Sequence, residues 1–181
     1  MLKGMSVFLI GMMGVGKTTV GKNLARQLGY RFCDTDVLIE TVANQTISNI
    51  FATAGEASFR ELESQVLSEV SPYTKTVIAT GGGIVLKQMN WSYLRHGLIV
   101  WLDADVDLLL ERLKEDSTRP LLQEVDPEAK LKSLLEERTH LYSQADLHIC
   151  LKAEQTPEAI AQQIVSEIPT VLKEEKHLSD K

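Results

Sequence analysis

Short apolar runs alternate along the chain with stretches whose apolar residues recur every three or four positions. The runs predict strands at 7–10, 30–33, 76–80, 98–102 and 147–151. The helical stretches are 17–28, 37–70 with breaks near Gln45 and Gly55, 103–114, 128–143 and 157–167. Since such strands are apolar throughout, we expect an α/β fold with a parallel sheet covered by helices on both faces.

The pattern shows no repeat, linker or change of composition, so we expect one domain over 1–181. Residues 115–127 are polar, contain prolines and follow no period, which is typical of either a functional lid or a disordered segment. The tail at 173–181 is charged, and we expect it to fray.

Composition excludes several classes of protein. The 181 residues are 44% hydrophobic and 24% charged, as in ordinary globular proteins, and the net charge of −6 argues against a nucleic-acid or acidic-lipid surface. The first strand begins within a few residues of Met1, so we expect no leader, and no apolar run approaches membrane-spanning length. We expect Cys33 and Cys150 to be buried free thiols in the cytoplasm. The histidines show no metal-ligand spacing and receive no role.

The residues from Gly11 to Thr18 match the phosphate-loop pattern G-x-x-x-x-G-K-[ST], between a predicted strand and a predicted helix. Its glycines let backbone N–H groups turn toward phosphate oxygens, and the helix that follows adds its N-terminal dipole. Lys17 is expected to contact the β- and γ-phosphates, and the Thr18 hydroxyl to bind Mg²⁺. We therefore assign nucleotide binding to Gly14, Val15, Gly16, Lys17, Thr18 and Thr19.

Asp34 and Asp36 follow the second predicted strand, at the same sheet edge as the phosphate loop. Alternate residues of an extended chain point the same way, so the two carboxylates can face one site. There they would hold Mg²⁺ through water and accept a hydroxyl proton. An N-cap for the next helix explains the pair equally well.

Further candidates each have an ordinary alternative. Arg60 and Glu63 are neighbours on a helix face, either as a surface ion pair or as an oriented guanidinium that binds a carboxylate. The adjacent Gly81, Gly82 and Gly83 indicate a close approach to the backbone, or a tight turn. Arg119 in the irregular segment would neutralise phosphoryl charge from a lid. Arg112 and Arg138 are anion anchors or solvated, and Trp91 and Trp101 are expected in the core.

These motifs occur in the order G-x-x-G-x-G-K-[ST], D-T-D, F-R-x-x-E, G-G-G and R-P-L-L. In this the chain resembles the shikimate kinases over about residues 5–168. The resemblance implies a three-layer P-loop fold of the nucleoside-monophosphate-kinase type. It has a five-stranded parallel sheet, a substrate-binding helical region at about 35–64 and a mobile lid at about 115–127. It also implies transfer of the γ-phosphoryl of ATP, with Mg²⁺, to the 3-hydroxyl of shikimate on the chorismate route to aromatic amino acids.

The resemblance assigns roles by position. Asp36 would bind the shikimate hydroxyls and act as base, and Asp34 would hold Mg²⁺ through water. Arg60, supported by Glu63, and Arg138 would bind the carboxylate, and Arg119 would be the lid arginine. Arg112 would lie at the adenine, and so would Gln155, which lies in the turn at 154–157. The other acceptor-side positions that match the family are Phe51, Phe59, Gly81, Gly82 and Gly83.

Two rival functions stay open on sequence grounds. One is a kinase of another small hydroxy acid or polyol, such as gluconate. The other is a non-catalytic module that binds a nucleotide and a partner protein, although such a module has no need of Asp36, Arg60 and Arg119 together. We expect a cytoplasmic monomer whose partner is its small-molecule substrate, with no nucleic acid or membrane involved.

Overall fold

The sheet consists of five strands, β1 (Val7–Ile10), β2 (Arg31–Asp34), β3 (Thr76–Ala79), β4 (Leu98–Asp103) and β5 (Leu147–Cys150). The structure is a computed structural model that describes residues 2–114 and 125–178. Every pairing between neighbouring strands is parallel, and the order across the sheet is β2-β3-β1-β4-β5. The predicted five-stranded parallel sheet is confirmed, with strand ends shifted by one residue at β2, β3, β4 and β5.

Within the described residues, seven helices flank this sheet. They are α1 (Lys17–Leu28), α2 (Thr35–Ala43), α3 (Ile47–Val70), α4 (Gln88–Leu94), α5 (Val106–Leu113), α6 (Pro127–Tyr142) and α7 (Pro157–Leu178), together with a 3₁₀ turn at Ile84–Leu86. None of these helices is both long and apolar enough to span a membrane.

The central strands are almost entirely buried, whereas the edge strands are buried only in part. All four residues of β1 and of β3 are buried, whereas in β5 only Leu147 and Ile149 are buried. The expected parallel sheet flanked by helices is present, and its edge strands are partly exposed. For the same reason Cys150 is exposed and Cys33, on edge strand β2, is only partly buried, contrary to the prediction of two buried thiols. Trp91 and Trp101 are buried, as predicted.

Two predicted breaks divide the helical region that follows β2. Asn44 adopts a left-handed conformation and ends α2, and the Thr46 side chain then accepts the N–H of Asn49 as the N-cap of α3. Gly55, with φ 83° and ψ 171°, interrupts the helical geometry inside α3. The Gly55 break sets the direction in which the second half of α3, with Arg60 and Glu63, runs toward the sheet edge.

Two helical elements differ from the sequence prediction. Helix α4 was not predicted because its inward residues include Asn90, whose amide donates to the carbonyl oxygen of Ile84 in the preceding turn. Helix α7 extends to Leu178 rather than to about residue 167, and so includes residues 173–178 of the charged tail. Its buried residues Ile160, Ile164 and Ile168 continue one apolar face of the helix. Arg119 and residues 115–124 of the predicted lid lie outside the described residues.

The sheet topology places one crevice at the carboxyl ends of β1 and β3. From β1, which lies in the middle, the chain runs to β2 and β3 on one side and then to β4 and β5 on the other. Ligands in such sheets bind where the connections diverge. The loop after β3 meets the loop after β1 there, since a Cβ added at Gly82 would lie 3.2 Å from the backbone nitrogen of Met13.

Candidate active site

The phosphate loop leaves β1 and folds back onto the first turn of α1. Gly14 and Gly16 have φ values of 78° and 95°, which side chains other than glycine rarely adopt. The Lys17 ammonium donates to the carbonyl oxygens of Gly11, at 2.7 Å, and Met12, at 2.9 Å. Val15 and Lys17 are buried, while Thr18 and Thr19 are exposed on the first turn of α1. The loop therefore has a fixed shape with its helix N-terminus open to an anion.

Arg112 of α5 contacts this loop from outside. Its guanidinium donates a 2.7 Å hydrogen bond to the carbonyl oxygen of Val15. Gln155 lies in the turn after β5, where its side-chain oxygen accepts the N–H of Lys152 and its amide donates to Gln163. The structure thus brings Arg112 to the phosphate loop, whereas both polar ends of Gln155 are engaged within its own turn and α7.

Asp34 joins the phosphate loop to α2. Its Oδ1 accepts the backbone N–H groups of Asp36 and Val37 and so caps α2. Its Oδ2 accepts a 2.6 Å hydrogen bond from the hydroxyl of Thr18. The two explanations of Asp34 that the sequence left open are thus compatible, because one oxygen caps the helix and the other faces the phosphate loop.

A cavity of about 660 Å³ lies between the phosphate loop, α2, α3 and α6. Eleven of the residues to which the sequence analysis assigned a role line this cavity: Thr18, Asp34, Asp36, Phe51, Phe59, Arg60, Glu63, Gly81, Gly82, Gly83 and Arg138. The rings of Phe51 and Phe59 lie 4.8 Å apart and give it an apolar wall. A cavity of this size suits a small molecule.

Arg60 and Glu63 form a buried ion pair rather than a surface one. The guanidinium donates a 2.8 Å hydrogen bond to Glu63 Oε1, and the residues are 9% and 1% exposed. Glu56 accepts a second bond from Arg60 at 3.2 Å. Burial alone would lower the pKa of Arg60, but the charge of Glu63 raises it, so the guanidinium stays charged. Burial raises the pKa of Glu63, against the opposing charge of Arg60.

The glycine triplet lies against these charged side chains. A Cβ at Gly81 would lie 2.7 Å from Glu63 Oε2 and 3.1 Å from Asp36 Oδ1, and one at Gly83 would collide with the Arg60 guanidinium. The close approach predicted from the triplet is therefore present, and the groups that approach are the protein's own carboxylates and guanidinium.

Arg138 enters the cavity from α6, on the buried face that also carries Leu131, Leu134 and Tyr142. It is 3% exposed, and its Nε, like that of Arg60, has no hydrogen-bond partner among the described residues. Buried guanidinium N–H groups without acceptors favour an anionic ligand. The cavity therefore offers two cationic groups to a carboxylate.

The sequence analysis did not predict that Tyr142 belongs to the site, although this residue follows Arg138 by one helical turn. Its hydroxyl donates to the carbonyl oxygen of Gly82 at 2.5 Å and so fixes the triplet. Burial raises the pKa of Tyr142 to about 12, although Arg138 opposes the shift, so the hydroxyl remains a donor. The helical spacing of Leu131, Leu134, Arg138 and Tyr142 could have shown that Tyr142 lies on the same buried face as Arg138. The sequence also did not single out other residues of the wall, Met13, Val37, Glu40, Thr46, Ile47 and Ser48.

The chain is similar to several known proteins. The family model for shikimate kinase matches residues 13–169. A shikimate kinase of Trichormus variabilis is 62% identical over 174 residues, which cover 96% of each chain. One of Microcystis aeruginosa is 59% identical over 173 residues, 96% of this chain and 91% of that one. A solved shikimate kinase from Acinetobacter baumannii, in complex with shikimate, superimposes with a TM-score of 0.87 at 39% identity, over 93% of this chain and 94% of that one.

Proposed function

The chain belongs to the shikimate kinase family, and we propose that its cavity binds shikimate with the 3-hydroxyl directed toward the phosphate loop. The reaction transfers the γ-phosphoryl of ATP to that hydroxyl, giving shikimate 3-phosphate and ADP on the way to the aromatic amino acids. One observation carries the proposal. A single cavity joins Thr18 and Asp34 of the nucleotide side to Asp36, Arg60 and Arg138 of the acceptor side.

On the nucleotide side, we assign the phosphates to the N–H groups of the loop and of the first turn of α1, residues Gly14 to Thr19. Lys17 already bonds the carbonyl oxygens of Gly11 and Met12, and in the complex its charge lies beside the β- and γ-phosphates. Arg112 is proposed to lie beside the adenine, which its bond to the Val15 carbonyl oxygen supports. Gln155 is the second adenine candidate, and only its place in the turn after β5 supports it.

The residues present also fit Mg²⁺. The Thr18 hydroxyl and the Asp34 carboxylate lie 2.6 Å apart beside the loop, and hard oxygen donors are what Mg²⁺ binds. We propose that Thr18 binds the ion directly and Asp34 through water. When bound with ATP, Mg²⁺ supplies charge neutralisation to the transferring phosphoryl group.

On the acceptor side, Arg60 and Arg138 are proposed to bind the shikimate carboxylate. Glu63 holds one edge of the Arg60 guanidinium. The Nε–H groups of Arg60 and Arg138 have no acceptor among the described residues, which supports an anionic ligand beside them. Phe51 and Phe59 cover the apolar side of the ring. We place the ring beside Gly81, Gly82 and Gly83, whose lack of side chains makes room for the carboxylate of Asp36 and the guanidinium of Arg60.

Asp36 is proposed as the base. It lines the cavity, and the cap that Asp34 provides to its N–H fixes its place in the first turn of α2. A carboxylate there binds the shikimate hydroxyls and accepts the proton of the 3-hydroxyl as the phosphoryl group transfers. Arg119 is proposed to neutralise charge on that group, as the family resemblance implies.

We further propose that the protein is a cytoplasmic monomer that acts on small molecules, without nucleic acid or membrane. The net charge of −6 supports the absence of nucleic acid. Sedimentation at several protein concentrations tests the oligomeric state.

Phosphorylation of an acceptor panel tests the function. ATP consumption is measured with shikimate, with gluconate and with a shikimate analogue that lacks the 3-hydroxyl. We expect turnover with shikimate and at least a hundredfold lower kcat/KM with gluconate, because a site built for polar groups discriminates on the order of hundredfold or more. Equal turnover of gluconate would contradict the assignment, and nucleotide binding without turnover of any acceptor would favour the non-catalytic module.

A further inference from the structure

Three potential metal ligands meet on one face of the β4–β5 pair. In the register of the two strands Trp101 lies beside His148 and Asp103 beside Cys150. Because side chains alternate along a strand, these four residues share one face of the sheet. The opposite face, with Leu147 and Ile149, is buried. Neither Asp103, His148 nor Cys150 lines the cavity described above.

The three donor atoms lie close together. The Nε2 of His148 lies 2.9 Å from Asp103 Oδ2 and 3.5 Å from Cys150 Sγ. Each residue offers one ligand atom, and the three atoms all lie within 4.8 Å of one another. An ion placed between them would face the lone pair of Nε2, the thiolate and a carboxylate oxygen at the same time.

The orientation of the imidazole is fixed by packing. The ring of His148 stacks on the indole of Trp101, with 3.9 Å between centroids and 6° between planes. Trp101 is itself buried, and it stacks in turn against the ring of Tyr142. A ligand held in its binding orientation before the ion arrives loses less conformational entropy on binding.

The distance between the nitrogen and the sulfur matches tetrahedral coordination. Bond lengths of about 2.3 Å to sulfur and 2.1 Å to nitrogen place those two atoms roughly 3.6 Å apart in a tetrahedral site. The observed separation of Nε2 and Sγ is 3.5 Å. The carboxylate lies closer to Nε2, at 2.9 Å, and needs to move outward by about half an ångström to reach the tetrahedral spacing.

We propose that Asp103, His148 and Cys150 form a binding site for a zinc-class transition-metal ion. Thiolate and imidazole donors together favour Zn²⁺ over Mg²⁺, which selects oxygen. Three protein ligands leave the fourth position to water. The ion ties edge strand β5 to β4 just before the turn that carries Gln155, and the site is separate from the proposed Mg²⁺ site at Thr18 and Asp34.

A surface ion pair between His148 and Asp103 is the simpler explanation of the same contact. That pair requires neither the sulfur nor a metal, whereas the metal site requires Cys150. Loss of metal binding on removal of the sulfur therefore separates the two explanations.

The test is a titration of the full chain, stripped of metal by a chelator and reduced with a phosphine, with Co²⁺ alone. We expect a thiolate-to-cobalt charge-transfer absorption in the near ultraviolet that saturates at one ion per chain and is lost when Zn²⁺ is added. Zn²⁺ is also expected to raise the melting temperature, because it binds the folded chain preferentially.

Variants locate the site. Cys150→Ser should abolish the charge-transfer absorption, and His148→Gln should weaken Co²⁺ affinity on the order of tenfold or more. Cys33→Ser, the matched control on β2, and Asp34→Asn, at the proposed Mg²⁺ site, should leave the absorption unchanged. The proposal is overturned if the wild-type chain shows no such absorption at saturating Co²⁺, or if the absorption persists in Cys150→Ser.

Discussion

The hydroxyl of Thr18 donates a 2.6 Å hydrogen bond to Asp34 Oδ2, while Oδ1 of the same carboxylate caps α2 through the N–H of Asp36. One side chain thereby connects the first turn of α1, where the phosphates are proposed to bind, to the first turn of α2, which carries the proposed base. This connection holds the proposed nucleotide and acceptor sites next to each other, and positioning is most of what phosphoryl transfer requires.

Two substitutions of Asp34 separate its two roles. Asparagine caps helices as well as aspartate does, so Asp34→Asn should leave the free energy of unfolding nearly unchanged, whereas Asp34→Ala should lower it by about 1 kcal/mol. Both variants lose the charge beside Thr18, and we expect a loss in Mg²⁺ affinity on the order of tenfold or more. Urea unfolding and the Mg²⁺ dependence of turnover measure these effects. Equal stability of the two variants would remove the capping role.

Replacement of Arg60 should affect both substrate binding and stability. Arg60→Met removes a charged donor from the proposed carboxylate site, so the KM for shikimate should rise on the order of tenfold to a hundredfold, with little change in the KM for ATP. It also leaves the buried Glu63 carboxylate without its partner, which should cost about 3 kcal/mol or more of unfolding free energy. Steady-state kinetics and denaturant unfolding give the two values.

The double variant Arg60→Met/Glu63→Gln is the control for this prediction. It removes the isolated charge, so most of the lost stability should return while the KM for shikimate stays high. If the KM recovers together with the stability, Arg60 acts through the fold and not as a ligand. A similar rise in the KM for ATP would also contradict the carboxylate site.

The sequence predicts well those parts of the molecule whose structure depends on residues that are close together in the chain. The strand at Val7–Ile10, the glycines of the phosphate loop and the helix from Lys17 are consecutive, and each residue type there follows from backbone or phosphate geometry. Because parallel strands end at a common edge, the order of the motifs along the chain also predicted that Asp36 and Gly81 lie at the same edge of the sheet.

Features that depend on the tertiary structure could not be predicted from the sequence. The spacing of Arg60 and Glu63 is the same for a surface pair as for the buried pair observed. Exposure of Cys150 depends on β5 being an edge strand, which the apolar run alone does not reveal. The approach of Asp103 to His148 depends on strand register, because these residues are 45 positions apart in sequence. Such pairings carry no local signal.

Asp36→Asn tests the proposed base. The amide accepts no proton, so kcat should fall on the order of a hundredfold or more. The dissociation constant for ATP should stay the same, because the phosphate loop is untouched. Turnover and calorimetric binding of ATP measure the two effects. Glu69→Gln removes an equal charge from an exposed position of α3 and should leave both values unchanged. Full turnover of Asp36→Asn would remove Asp36 from the mechanism.

The two cysteines should differ in reactivity. Burial, with a contribution from Asp34, raises the pKa of Cys33 from 9.0 to about 11, so its thiol stays protonated in neutral solution. Cys150 is exposed, and since only the thiolate is alkylated, iodoacetamide at about pH 8 should modify Cys150 on the order of a hundredfold faster than Cys33. The Cys33 rate should keep rising with pH until about 11, where its thiolate becomes populated. Peptide mass spectrometry after timed alkylation gives the rate at each site, with Cys150→Ser isolating Cys33. Equal rates in the native protein, or a Cys33 rate that levels off near pH 9, would contradict the raised pKa.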